Sequence, residues 1–325
     1  MTFAKLEGKK VDEVPGQSAQ ANFENAMRLF KGRGVAQDSY AAARFFFLAA
    51  EMGHAEAQYN LGVMYFFGDG VAEDSLEGAR WTRLAAENGH PAAQNNLAHL
   101  HMIGNGVPKD SSEAARWFRR AAETGFHLAQ CNLGYLYEKG DGVPQDYAQA
   151  LKWHKLAADQ DNPQAQYRLG LMNEKGSGLP RSFARAAQWY RLAAEQDDAQ
   201  AQTRLGKLHF NGDGVPQDVG EATRLFHAAA EKGHLFALYH LGCQYNLGIG
   251  VPKNHAEAAK FFLLAAEQGH AAAMFMLSIL YKVGQGVPQD AVKSDSWLIS
   301  AIERGLMLDH DSLRRTHNEA SLTLH

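Results

Sequence analysis

At 325 residues and a formal charge of −4, from 32 basic and 36 acidic side chains, the chain offers no electrostatic reason to take nucleic acid or anionic lipid as its main partner. Two widely separated cysteines, Cys131 and Cys243, cannot form the disulfide framework of a small secreted domain and point to a reducing compartment. No apolar run reaches membrane-spanning length, and residues 1–20 are polar where a secretory leader would be apolar. Insertion into a membrane is therefore not expected, and a cytoplasmic location is, or a periplasmic or secreted one had a leader been removed.

In chain order, residues 1–20 carry no periodic pattern and are expected to be disordered. From residue 21 to 305 a glycine pair, Gly-x-Gly followed by Val or Leu, sets the register: its second glycine falls at Gly34, Gly70, Gly106, Gly142, Gly178, Gly214, Gly250 and Gly286, a spacing of 36 without insertion. Each period holds two amphipathic segments. In the first, Ala57, Leu61 and Tyr65 share one helical stripe; in the second, Ala42, Phe45 and Ala49 do, with Trp81, Trp117, Trp153, Trp189, Phe261 and Trp297 at the bulky place of other periods. The first helix must stop at a left-handed Gly68, Gly70 permits a tight turn, and Asp74 with Glu77 is expected to form a capping box on the second helix, as are Asp110 with Glu113 and Asp218 with Glu221. The second helices end at Gly53, Gly89, Gly125, Gly233, Gly269 and Gly305, and Asn162-Pro163 reads as an N-cap followed by proline at the first helical position. Residues 306–325, with Leu306, Leu308 and Leu313, are expected to form a capping helix. A hairpin of this size cannot bury its apolar face alone, so the expectation is an all-α stack of eight 36-residue helix-turn-helix repeats.

The order Ala57, Leu61, Gly62, Tyr65, Gly68, Gly70, Val71 and Asp74, then Ala85, Ala86 and Gly89, resembles the Sel-one-like repeat (SLR) family of the tetratricopeptide-like superfamily. The resemblance spans residues 21–305. Departures are local: Ala98 and Ser278 replace the packing glycine, His101, Asn173 and His209 the tyrosine, and Asp161 and Asp197 the terminating glycine. The resemblance implies a right-handed α-solenoid and a bacterial scaffold or adaptor that binds proteins. Some secreted relatives carry a cysteine pair eight residues apart across the inter-repeat turn; here those places are Ala50 and Gln58.

The same resemblance implies that the first helices line a concave groove that receives a partner peptide or helix. The residues expected to face it are Tyr59, Phe66, Phe67, His99, Tyr135, Tyr167, Glu174, Lys175, Phe210, Tyr239 and Phe275, with Tyr167 foremost. Exposed aromatics offer large contact area at little cost in side-chain entropy. A regulatory or immunity-type binder that blocks a partner enzyme with one end of the array is the alternative, and a β-lactam-binding hydrolase a remote one. Neither the partner nor the oligomeric state can be read from the residues.

Catalytic and cofactor chemistry is not expected. His54, His90, His234 and His270 hold one place in four repeats, and Asn162 and Asp198 take the same place in others, which favours helix capping over metal ligation. The glycine pairs precede Pro or Asp rather than Lys-Ser, which suits turns and not phosphate. No S-x-x-K, S-D-N, K-T-G or G-x-S-x-G occurs.

Overall fold

The computed structural model describes residues 17–306, and among these residues it contains sixteen α-helices and no strand. They are α1 (Ala19–Lys31), α2 (Ser39–Glu51), α3 (Ala55–Phe67), α4 (Ser75–Glu87), α5 (Pro91–Ile103), α6 (Ser111–Glu123), α7 (His127–Lys139), α8 (Tyr147–Ala158), α9 (Pro163–Lys175), α10 (Phe183–Glu195), α11 (Ala199–Asn211), α12 (Val219–Glu231), α13 (Leu235–Leu247), α14 (His255–Glu267), α15 (Ala271–Val283) and α16 (Ala291–Glu303). Odd-numbered helices are the first members of the hairpins and even-numbered helices the second. The chain divides into two compact units, one through Asn162 with α1–α8 and one from Pro163 with α9–α16, each a stack of helical hairpins.

Helix α1 begins two residues before the start expected for the array, because the Ser18 hydroxyl accepts a hydrogen bond from the Ala21 amide and caps it. At the other end Leu306 packs on the core of the last hairpins. The closing helix expected over 306–325, with Leu308 and Leu313, otherwise lies outside the described residues, as does most of the segment 1–20.

Small residues let the two helices of a hairpin meet closely, and a large side chain fills what remains. Between α3 and α4 it is the expected Trp81, 1% exposed, but the rest of the tryptophan row does not supply it. Trp81, Trp117 and Trp153 are buried, but Trp189, Phe261 and Trp297 are only half-buried. The deepest place lies one residue later, where Phe46, Phe118, Tyr190, Phe226 and Phe262 have at most 2% exposure. It faces the packing glycine of the first helix: a methyl group added to Gly206 would lie 2.8 Å from the Phe226 ring, one added to Gly134 2.8 Å from the His154 imidazole, and one added to Gly62 2.7 Å from the Thr82 hydroxyl. One residue along a helix is about 100° of rotation, so the tryptophan row turns away from this contact. Trp81 instead receives the edge of Phe47 from the preceding second helix, at 5.8 Å between ring centres.

The turns are closed by a recurring set of bonds. Gly68 caps α3 in a left-handed conformation, and the Asp74 carboxylate accepts from the Leu76 and Glu77 amides at 3.0 and 3.1 Å. The capping boxes do not close. The Asp74 amide donates to the Tyr65 carbonyl of the first helix at 2.9 Å, Asp110 does the same to His101 and Asp218 to His209, so Glu77, Glu113 and Glu221 turn to Arg80, Arg116 and Arg224 instead. Consecutive hairpins are joined by buried glutamines: the Gln58, Gln94 and Gln130 carboxamides donate to the Ala50, Ala86 and Ala122 carbonyls at 3.0–3.2 Å. At Ala50 and Gln58, the places where some relatives hold a cysteine pair, a hydrogen bond joins the two hairpins.

Three of the four histidines expected to cap do so. His54, His90 and His270 accept through Nδ1 from the Ala57, Ala93 and Ala273 amides at 3.1–3.2 Å. His234 does not, because its Nδ1 pairs with the Thr203 hydroxyl at 2.8 Å.

Candidate partner-binding surface

The outward places of a first helix follow from the core stripe. With Ala57, Leu61 and Met64 of α3 buried, Asn60, Val63 and Phe67 are left on the opposite side, and the same places recur every 36 residues. Phe67 is 79% exposed, far more than a phenylalanine needs to be for packing reasons. Between α1 and α3 an open cleft of about 420 Å³ is lined by Phe30, Phe46, Tyr59, Asn60, Val63, Met64, Phe67 and Asp69. Its walls are apolar or aromatic, with one carboxamide and one carboxylate.

Of the residues expected at the binding surface, Phe67, His99 and Lys175 are exposed. Tyr59, Phe66, Tyr135, Glu174, Phe210, Tyr239 and Phe275 are half-buried, each with internal neighbours that the sequence did not show. Tyr59 stacks on His90 of the next hairpin at 4.7 Å and Tyr239 on His270 at 4.5 Å, so one face of each ring is already covered. Phe66 lies on Gly78 and the neighbouring core, Tyr135 packs on the core of its own unit with Lys139 over its ring, Phe210 packs beside Phe226 and Leu241, and Phe275 beside the core of the last hairpins. His99 meets the edge of Phe118 at 5.0 Å and hydrogen-bonds Asn132.

Tyr167, foremost in the sequence-based expectation, is 8% exposed and is corrected to an interior residue. Its ring lies 5.8 Å from Tyr190, and Tyr190 fills the deep place of its hairpin. The Tyr190 hydroxyl donates to Glu174 at 2.5 Å, and Arg204 holds the other oxygen of that carboxylate at 3.1 Å. Burial, then the Glu174 carboxylate, keeps the Tyr190 phenol well above its ordinary pKa, so it stays a donor. One hairpin earlier the same two places hold Glu138 and the fully buried His154, with 3.9 Å between carboxylate and imidazole.

Sequence reasoning overlooked the row of Asn60, Arg204 and His240, which stands one residue after the row it followed. The signal was the 36-residue spacing itself, applied to one further place on the helix. No group of three or more His, Cys, Asp or Glu among the described residues could hold a metal ion, and no helix among them is long and apolar enough to cross a membrane. Both cysteines are free and buried, and burial pushes the Cys243 thiol up to about 11, the opposite of what a nucleophilic thiolate requires.

The Sel1 repeat model matches this chain eight times in succession, over residues 19–54, 55–90, 91–126, 127–162, 163–198, 199–234, 235–270 and 271–306. Among solved structures, the chain is similar to a protective antigen present in uropathogenic Escherichia coli strains that displays an SLR fold, at 35% identity and a TM-score of 0.79. That match covers 92% of this chain and 64% of the antigen, so the chain spans just under two thirds of the antigen's length. It is also similar to a Sel1 repeat protein from Oxalobacter formigenes, at 33% identity and a TM-score of 0.67, over 75% of this chain and 96% of that one. No curated protein matches the chain.

Proposed function

Because the chain belongs to the Sel1 repeat family, with eight repeats that account for the helices described above, we propose that it is a non-enzymatic interaction scaffold whose first-helix face receives a peptide or helix from a protein partner. The observation that carries this reading is the cleft between α1 and α3, with Phe67 standing 79% exposed at its rim. Covering such a side chain with an apolar partner group is worth about 1.5–3 kcal/mol, which makes it a strong anchor, and Val63 and Tyr59 beside it supply the walls of a pocket for the partner's own side chain. The half-buried aromatics further along are supported by their own neighbours, so they offer edges rather than whole rings, with little loss of rotamer freedom on binding.

A photo-crosslinking amino acid placed at Phe67, compared with one at Leu76 on the second-helix side, tests the proposal in cells that make the protein. Leu76 is 71% exposed, so accessibility is nearly matched. A recurrent protein adduct at position 67 and none at 76 is expected. Equal labelling at both positions, or none at 67, would remove the first-helix face from consideration.

A further inference from the structure

The first helices of the second unit differ in charge from those of the first. At the places of α9, α11, α13 and α15 equivalent to Asn60, Val63 and Phe67 stand Arg168, Leu171 and Lys175; Arg204, Lys207 and Asn211; His240, Cys243 and Leu247; and Met276, Ile279 and Val283, of which Cys243 and Met276 are buried. None of these residues is acidic, although the whole chain carries more acids than bases. The one carboxylate these helices contain, Glu174, is already engaged by Tyr190 and Arg204. Lys175 and Lys207 are exposed and make no ion pair among the described residues. Arg204 is 39% exposed in its side chain, and a guanidinium has five N–H donors, more than its contacts with Glu174 and Tyr167 use. Toward α15 the face becomes apolar, with Leu247 and Ile279 half-buried and Val283 52% exposed.

We infer that this face of the second unit receives an acidic segment of a protein partner, its carboxylates on Arg204 and Lys207 and an apolar flank on Leu247, Ile279 and Val283. The inference rests on the reading of the chain as a protein-binding scaffold and adds the chemistry of what is bound. Charge complementarity selects the occupant: the exposed Lys207 and the part-exposed Arg204, at places that carry no acid, attract a short run of carboxylates and speed its encounter. The adjoining apolar places suit a protein segment rather than a uniformly charged polyanion. A nucleic acid, whose binding would call for cations spread along its whole length, fits the apolar half poorly.

Fluorescence anisotropy with the full chain tests this, using a fluorescein-labelled peptide made of a glutamate run followed by leucines. The expected result is saturable binding that weakens as salt is raised, a loss of roughly tenfold or more for Lys207→Glu, and a smaller loss for Lys207→Ala. Lys260→Glu, on the second-helix side in α14 and 68% exposed, is the charge-matched control and should bind as the unchanged protein does. Circular dichroism of each variant establishes that the helices are intact. A second reading comes from His240, held down to about 4 by burial and by the charges of Lys207, His270, Arg204 and His234. A carboxylate seated among these groups should raise the imidazole's titration in an NMR experiment. The proposal is overturned if the peptide does not bind, if Lys207→Glu and Lys260→Glu weaken it equally, or if a single-stranded oligouridine competes better than the peptide. Should the peptide fail while crosslinks at position 67 persist, the acidic-partner inference falls and the scaffold reading stands; should both fail, both fall.

Discussion

Gly70 and Gly53 both hold a left-handed backbone, at φ of 69° and 82°, yet a methyl group on each would meet different surroundings. On Gly53 it would point into open space; on Gly70 it would strike the Ser39 carbonyl and the Tyr40 amide, where the turn of one hairpin presses on the start of the preceding second helix. Gly106, Gly142 and Gly286 are placed in the same way against Ser75, Ser111 and His255. Gly53→Ala should therefore cost about 1–2 kcal/mol, the strain of a left-handed alanine alone, whereas Gly70→Ala adds a backbone collision and should cost roughly twice that or more, read as the difference between their urea midpoints. Asp161 and Asp197, which stand in the terminating-glycine place, keep φ of 57° and 67°, so the turn geometry survives the loss of glycine. That Gly70, Gly106, Gly142 and Gly286 govern the contact between hairpins, and not only their own turns, could not be read from a spacing: the atoms they avoid belong to the repeat before.

Helix ends are where local chemistry and stacking meet. The aspartate N-caps were legible from Asp74, Asp110 and Asp218, but the closed capping boxes were not to be had, because the amide that a box needs already donates to the first helix. The N-cap histidines have a further consequence. An imidazole that accepts an amide hydrogen bond through Nδ1 must carry its proton on Nε2, and in His54 and His90 that nitrogen meets Gln20 at 3.1 Å and Glu56 at 2.9 Å. A second proton on His270 would remove the acceptor that caps α15. Burial lowers the pKa of His234 and His270 from the ordinary value, and burial with neighbouring positive charge takes His240 to about 4. The unfolded chain then binds protons more readily than the folded one, so this contribution to stability is complete above about pH 6.5 and is lost as the pH falls toward 4. From His240 alone the loss is on the order of 2–3 kcal/mol, and the urea midpoint should fall between pH 7 and pH 4.5 by less in His240→Asn than in the unchanged protein.

Within each compact unit, stability is a sum over hairpins and the faces between them, because the principal helix contacts run between hairpins adjacent in sequence. Removing residues 91–126, one complete period, should leave a chain that folds with proportionately less helix and still melts cooperatively. Removing residues 91–108 alone takes away α5 and its turn, strips α6 of its partner and should cost the cooperative transition; far-ultraviolet circular dichroism on heating distinguishes the two. The sequence by itself determined the all-α class, the period, the hairpin boundaries to within two residues and most of the caps, since these depend on side-chain periodicity and on turn chemistry within a few residues. Only the tertiary structure decided which aromatics are spent inside and which stand free. Tyr167 and Phe67 look alike along the chain, yet one meets Tyr190 across its hairpin and the other meets solvent. Burial is a property of what the neighbouring helices bring to a place, and a repeat period says where the place is without saying what surrounds it.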